Sequence, residues 1–401
     1  MIRQEEIGLV IDSQRDAFLR QDSGFEREAL GRIPIAESFA TIITGIRRCG
    51  KSTLLLQLLR RDYKDAIYLN FDDIRLSSFD TDDFVRLHKE IAARKIDVLF
   101  FDEIQLVDGW EKYVTQLLRE GYRVFITGSN AAMLSVELGT HLTGRNLSME
   151  LFPFSYSEFL GFKGLESGKE SVMKYLQTGG IPEYVKSELT IVLNSLVDDI
   201  LMRDIAVRHS VRDVNSLRQL AAFLITNIGN PISANKLVGM FDIKAPSTFL
   251  EYFSYLKDAY LLEFIPKFDH SLKAQARNPK KVYVMDMGLY TANSISTSEN
   301  TGHRLENLVF LHLRCKHKHI FYFKERGECD FVVMENNKVV SAVQVCLDVT
   351  DENFQREYDG LTEAMTTLGV TQGTIVTLDQ TDHFEKDGLS ITMIPVHDFL
   401  R

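Results

Sequence analysis

Cysteine is scarce in this chain. Its four cysteines, Cys49, Cys315, Cys329 and Cys346, form no C-x-x-C pair and show no zinc-site spacing. A disulfide framework and a zinc module are thereby set aside, and a reducing compartment is the simplest reading. No apolar run is long enough to span a bilayer, and the opening residues Met1-Ile2-Arg3-Gln4-Glu5-Glu6 hold no apolar signal region. Membrane and secretion readings fall away, and a cytoplasmic location is expected. Positive charge is not in excess either. With 46 Lys and Arg against 56 Asp and Glu, the net charge is −10. That argues against a uniformly basic nucleic-acid coat but leaves room for a local basic patch. Internal repeats and low-complexity segments are also missing.

What remains has the composition of a soluble globular protein, 45% apolar and 25% charged. At 401 residues the chain is too long for one core, so two or three domains are expected. Its most informative stretch is Gly45 to Thr53, which reads Gly-Ile-Arg-Arg-Cys-Gly-Lys-Ser-Thr. This fits G-x-x-x-x-G-K-[ST]. Gly45 and Gly50 let the backbone turn and bring N–H groups to phosphate oxygens, Lys51 reaches the β- and γ-phosphates, and Ser52 can ligate Mg²⁺. The apolar run Phe39 to Thr44 before it reads as a buried strand, and Leu54 to Leu59 after it reads as a helix. That order places phosphate at a helix N-terminus, where free N–H groups and the helix dipole favour an anion. Gly45, Arg48, Gly50, Lys51, Ser52 and Thr53 are the candidate ATP-binding residues of this loop. Arg47 and Arg48 add two cations, or one of them pairs with Asp72 or Asp73.

A second signature follows. Ile96 to Glu103 reads as a buried strand ending in two carboxylates. Asp102 is the candidate Mg²⁺ ligand, alongside Ser52. Glu103 points elsewhere and is the candidate base for the attacking water. Arg123 to Thr127 reads as a third strand, ending in Gly128-Ser129-Asn130. Ser129 and Asn130 are candidate sensors of the γ-phosphate or the water, or simply a turn. Ala66 to Asp73 reads as another strand, and Asp83 to Arg94 and Trp110 to Glu120 read as helices. This alternation predicts a parallel α/β sheet with helices on both faces.

The loop, with Asn70-Phe71-Asp72-Asp73, Phe101-Asp102-Glu103-Ile104-Gln105 and Thr127-Gly128-Ser129-Asn130, resembles a bacterial and archaeal branch of the AAA+ ATPases. Leu142-Thr143-Gly144-Arg145, Leu151 to Phe159 and Gly179 to Tyr184 resemble the same branch. The resemblance implies Mg²⁺-dependent ATP hydrolysis and a P-loop NTPase sheet in which the sensor strand separates the acid strand from the loop strand. It also implies homo-oligomeric assembly. It makes Arg145 a candidate for stabilising charge on the γ-phosphate, in cis or from a neighbour, with a structural salt bridge as the other reading.

Beyond the first segment, Ser171 to Arg218 reads as helices that could cover the nucleotide. Helical patterns at Val214 to Ile228, near Ile232 to Leu237, and from Pro246 to about Asp258 precede two strands, Leu261 to Pro266 and Lys281 to Asp286. Three helices and a hairpin describe a winged helix-turn-helix. The stretch Lys267 to Lys281 holds Lys267, Lys273, Arg277, Lys280 and Lys281 against Asp269. It is a candidate phosphate-contacting wing for DNA, and a solvated loop is the bland alternative.

In the last segment a helix bearing Glu306, a strand carrying Asp330, a turn at Asn336-Asn337 and a strand through Gln344 and Cys346 are similar to the PD-(D/E)xK nuclease superfamily. The resemblance assigns Glu306, Asp330 and Gln344 to a metal site and puts Cys346 where those enzymes carry lysine. A thiol supplies no cation, and a thiolate would repel phosphate, so the site is expected to be degenerate.

The expected architecture is an α/β ATPase core over residues 1–165, a helical lid or linker over 166–212, a winged-helix-like domain over 213–290 and a restriction-endonuclease-like α/β domain over 291–401. The expected function is an ATPase that couples hydrolysis to conformational change in a DNA- or protein-binding region. An ATP-regulated nuclease and a nucleotide-gated scaffold with negligible hydrolysis are the rivals.

Overall fold

Uninterrupted apolar runs bounded by short polar turns make strands that are buried on both faces of a parallel sheet. In the first part of the chain they are β1 (Ala40–Thr44), β2 (Ile67–Asn70), β3 (Val98–Asp102), β4 (Arg123–Gly128) and a more exposed β5 (Asn146–Glu150). They alternate with α1 (Gln4–Arg20), α2 (Lys51–Asp62), α3 (Asp83–Arg94) and α4 (Trp110–Arg119). The computed structural model describes residues 1–131, 144–295 and 300–401. Leu142 and Thr143 lie outside the described residues. The described residues divide into two units, Met1–Phe152 with Asp258–Tyr260, and Pro153–Lys257 with Leu261–Arg401.

The first unit is built on a five-stranded sheet in the order β2-β3-β4-β1-β5. Every pairing is parallel. Strand β4, which leads to Ser129 and Asn130, lies between the loop strand β1 and the acid strand β3. On one face Ile42, Leu69, Leu99, Phe101 and Ile126 pack with Ile7 and Val10 of α1, Leu87 of α3, and Trp110 and Val114 of α4. On the alternate residues Phe100 and Phe125 stack at 4.8 Å.

Helix α1 covers the open edge of β2. Its Gln14 amide donates to the Asn70 carbonyl (3.0 Å) and accepts from the Asn70 N–H (2.7 Å), as a further strand would. Its Phe18 ring stacks on Tyr68 of β2, with centroids 3.7 Å apart.

The second unit begins with α5 (Tyr156–Lys163), started by a reciprocal cap. Ser155 Oγ accepts from Glu158 N (3.1 Å), and Ser155 N donates to the Glu158 carboxylate (2.9 Å). Helices α6 (Lys169–Thr178), α7 (Pro182–Ser187) and α8 (Ile191–Asp199) follow, the last continuing as a π-type turn through Ile200–Val207.

The Gly179-Gly180 pair is a packing device. A Cβ on Gly180 would lie 2.3 Å from the Phe154 carbonyl oxygen, and Gly180 N donates to buried Asp286 at 2.6 Å.

Next come α9 (Val214–Thr226), β6 (Pro231–Ile232), α10 (Ala234–Leu237), α11 (Pro246–Asp258), β7 (Leu262–Pro266), α12 (Leu272–Arg277), β8 (Lys280–Val284) and α13 (Met287–Asn293). The three strands form an antiparallel sheet in the order β6-β8-β7.

Helix α14 (Thr301–Lys316) leads into a six-stranded sheet, β13-β14-β12-β11-β10-β9. Its strands are β9 (His319–Lys324), β10 (Glu328–Glu335), β11 (Lys338–Val345), β12 (Gln372–Thr377), β13 (Asp382–Lys386) and β14 (Leu389–Pro395). Helix α15 (Phe354–Leu368) crosses over between β11 and β12, which pair in parallel. Asn336 and Asn337, at φ 48° and 62°, make the two-residue turn between β10 and β11.

Candidate functional site

At the end of β1 the chain turns through Gly45, whose φ is +152°; a Cβ there would lie 2.1 Å from the Leu151 carbonyl oxygen. Only glycine fits this approach. Gly50, at φ +100°, precedes the first residue of α2, Lys51. The loop therefore delivers its last residues to a helix N-terminus. Lys51 is buried, and its ammonium donates to the carbonyls of Gly45 (3.0 Å) and Ile46 (3.1 Å). The ammonium thus lies against the loop it extends from. Arg48 takes φ +62° within the loop, Arg47 is half-buried, and Thr53 is half-buried one residue beyond Ser52. Arg27 supports the loop: its guanidinium donates to the Cys49 and Phe152 carbonyls, both at 2.7 Å.

Asp102 closes β3 and is only 1% exposed. Three hydroxyls converge on it. Ser52 Oγ donates at 2.6 Å and Tyr68 OH at 2.9 Å to one oxygen, and Thr127 Oγ1 donates to the other. Neighbouring strands explain the meeting, since Asp102 pairs with Asn70 on one side and Thr127 on the other.

The next residue, Glu103, adopts φ 55° and leaves the strand. Its carboxylate accepts from Gln105 Nε2. Burial raises the Glu103 carboxyl above the ordinary range, with Lys51 and Arg47 opposing and Asp102 adding to the rise. At the end of β4, Ser129 and Asn130 are both buried. The Ser129 hydroxyl has no hydrogen-bond partner among the described residues. An orphaned buried hydroxyl beside the loop strand is the kind of group a bound phosphate or water would satisfy. Tyr260 donates its hydroxyl to Thr44 Oγ1 (2.7 Å), on the last residue before the loop.

These residues fit a magnesium nucleotide. Ser52 and Asp102 offer a hydroxyl and a carboxylate side by side, as suits an ion that keeps most of its waters and takes few protein ligands. Bound there, Mg²⁺ would neutralise phosphate charge. Lys51 would supply a second positive charge, and Glu103 would orient and deprotonate water.

The sequence assigned no role to Tyr68, Thr127 or Gln105, although the last two lie within the motifs quoted above. The alternation of Tyr68 and Asn70 with Ile67 and Leu69 was the available signal for the first.

Three expectations need correction. Arg145 is not brought to the loop within this unit. It is exposed and immediately precedes β5, its carbonyl accepting from Ala40 N (3.1 Å) at the start of β1. The loop leaves the other end of β1, roughly 16 Å away along a five-residue strand, so a role in cis does not fit this fold.

The basic stretch from Lys267 to Lys281 is not a free wing. Lys281 is buried with acidic partners, Lys267 pairs with Glu325 (2.9 Å) and Lys280 is half-buried, which leaves Lys273 and Arg277 exposed. Burial lowers the Lys280 pKa.

Cys346 is favoured as the neutral thiol rather than as a repelling thiolate. Burial, together with Glu357, pushes its thiol up to about 11, and the Sγ donates to the Asp348 carbonyl (3.2 Å). Glu306 and Asp330 are brought together, and Gln344 lies beside them. Its Oε1 accepts from Asp330 N (3.2 Å) and its Nε2 donates to Glu357 (2.6 Å). No group of three or more His, Cys, Asp or Glu residues placed to hold a metal ion occurs among the described residues.

Residues 37–160 match the family described as an AAA domain, and residues 169–299 match a domain of unknown function, DUF8612. An uncharacterised protein of Methanocaldococcus jannaschii, MJ1544, is 35% identical over 375 residues, covering 86% of this chain and 83% of that one. An uncharacterised protein of Haemophilus influenzae is 30% identical over 344 residues, covering 80% and 85%. The chain belongs to the family of these uncharacterised proteins and carries an AAA domain in its first part. Among solved structures, the Saccharomyces cerevisiae Hsp104:casein complex overlaps 59% of this chain and 50% of its own, at 14% identity and a TM-score of 0.29, too slight a likeness to carry weight. No helix among the described residues is long and apolar enough to cross a membrane.

Proposed function

We propose that the chain is a Mg²⁺-dependent ATPase whose first unit binds and hydrolyses ATP. The observation that carries this is the meeting of Ser52 and Asp102 at 2.6 Å beneath the Gly45–Thr53 loop, with Glu103 turned out of the same strand end. Lys51 binds the β- and γ-phosphates, Asp102 and Ser52 hold the metal, Glu103 takes the proton of the attacking water, and Ser129 or Asn130 reads the γ-phosphate. Arg145, being exposed, acts on a γ-phosphate only from a neighbouring copy. Hydrolysis drives conformational change in the second unit.

In that unit the order helix, short strand, helix, helix, strand, strand, with the short helix α12 set between the last two strands and β8 in the middle of its sheet, supports a winged-helix reading. The helix–three-strand–helix–strand order of the last part supports a nuclease-like but non-cleaving domain. Protein contact is favoured over DNA as the unit's role because only two cations of the wing are exposed.

The test is ATP binding and phosphate release by the purified chain and by Lys51→Ala. Wild type should bind and turn over ATP, and the variant should do neither. Equal nucleotide binding by both proteins would remove the assignment.

A further inference from the structure

A lysine of the three-stranded sheet sits inside the carboxylate group of the last part of the chain. Lys281 of β8 has a side chain 3% exposed. Its ammonium lies 2.8 Å from Asp330 Oδ1, 3.0 Å from Glu306 Oε1 and 2.9 Å from Glu328 Oε1. An ammonium has three N–H donors, and here each finds one carboxylate oxygen.

The remaining contacts complete the arrangement. Tyr283, two residues along β8 and so on the same face, donates to Glu306 Oε1 at 2.6 Å. Asp330 Oδ2 accepts from Val345 N (3.0 Å), and Glu328 Oε2 pairs with Lys324 (2.9 Å). His303 also feels the group; burial lowers its pKa, and Lys281 adds to the effect. Burial and the nearby Asp330 push the Glu306 carboxyl up to about 7, against the pull of Lys281.

Two of these three acids, Glu306 and Asp330, are residues that the nuclease resemblance assigns to a metal. Their oxygens stand at ammonium distance rather than at the about 2.0–2.6 Å of Mg²⁺ or Ca²⁺ ligands. An unpaired trio of carboxylates, with Glu306 and Asp330 buried and Glu328 half-buried, would take up protons or a cation. We infer that Lys281 is the resident cation of the Glu306–Glu328–Asp330 centre, standing where a divalent metal would stand and closing the centre to one. The bond network also ties β8 to α14 and β10, so the former cation site serves as a brace. This inference deepens the non-cleaving reading of the last part of the chain and is independent of the ATPase reading.

The test uses nucleotide-free full-length protein, in which the phosphate loop recruits no magnesium nucleotide. Mn²⁺ is titrated into wild type, Asp330→Asn, Lys281→Ala and the double variant Lys281→Ala/Asp330→Asn, with binding read by electron paramagnetic resonance and folding by circular dichroism. Wild type should show no Mn²⁺ binding that Asp330→Asn removes. Lys281→Ala should bind Mn²⁺ roughly tenfold or more tighter than wild type, and the double variant should lose that gain. A folded Lys281→Ala with no gain overturns the inference. So does Mn²⁺ bound by wild type and lost in Asp330→Asn, a comparison that stands even if Lys281→Ala does not fold. Either failure leaves phosphate release by the first unit untouched.

Discussion

Replacing Glu103 by glutamine removes a charge and keeps a shape, which makes it the sharpest probe of the proposed hydrolytic site. The positive φ of 55° at this position is no harder for glutamine than for glutamate. The amide carbonyl of the substitute can still accept from Gln105 Nε2. Asp102 keeps its donors from Ser52, Tyr68 and Thr127. Stability should therefore change by no more than about 0.5 kcal/mol. ATP affinity should hold within about threefold, because the loop and the proposed metal ligands Ser52 and Asp102 are untouched.

What is lost is the proposed proton acceptor, a role worth about 10²–10⁴-fold in rate. At 1.36 kcal/mol per decade that is about 2.7–5.4 kcal/mol of transition-state stabilisation. The assay is single-turnover phosphate release beside fluorescent-nucleotide binding on the same preparations. A rate within tenfold of wild type would refute the assignment of the base. An equal fall in binding and rate would refute it too, since it would point to a damaged site. Because burial raises the Glu103 carboxyl, the wild-type rate should fall on the acid side at a higher pH than an ordinary carboxylate would give.

Gly45→Ala should destabilise the first unit by about 1–3 kcal/mol in urea titrations, because its methyl would meet the Leu151 carbonyl at 2.1 Å; an unchanged midpoint would show that the loop can shift freely. Folding raises the pKa of Asp286 from 3.8 to about 6 and that of Glu306 from 4.5 to about 7, so the stability from their protonation is complete below their unfolded pKa values and is lost as pH rises through about 6 and 7. Half-buried His312, lowered from 6.5 to about 4, acts oppositely, its contribution present above pH 6.5 and lost as pH falls towards 4; comparing urea midpoints of wild type and Glu306→Gln from pH 4 to 8 isolates the Glu306 part, and parallel profiles would refute it. Any DNA affinity carried by Lys273 and Arg277 should decline with salt at a log–log slope no steeper than about −2, and a steeper slope would mean that other cations contact the backbone.

The nucleotide half was legible because buried parallel strands read as plain apolar runs and the loop's residue types are dictated by phosphate. Strand β5 was not legible. Asn146-Leu147-Ser148-Met149-Glu150 is a half-exposed edge without an apolar run, and its pairing to β1 is non-local. Hence Arg145 looked close to the site when it lies at the far end of the strand. Helix α1 was overlooked for a similar reason, its apolar stripe being interrupted by Gln14, which serves the edge of β2.

The basic stretch misled most. Five cations in fifteen residues suggested a solvated wing, but charge counted along the chain does not reveal which face a strand turns inward. The signal was Lys281 and Tyr283 alternating with Val282 and Val284, two polar-tipped side chains on one face of β8. Only the long-range meeting of β8 with α14 and β10 shows what they serve.

The edge helix α1 has a practical consequence. The AAA-domain match begins at residue 37, so a fragment cut there would keep the loop, both acids and Ser129 and Asn130. It would lose Phe18 from the face of Tyr68 and Gln14 from the rim of β2. Tyr68 is one of the hydroxyls that steady Asp102. Turnover measured on such a fragment would report an amputated scaffold as much as a catalytic centre, although no residue removed stands among those proposed to meet the nucleotide.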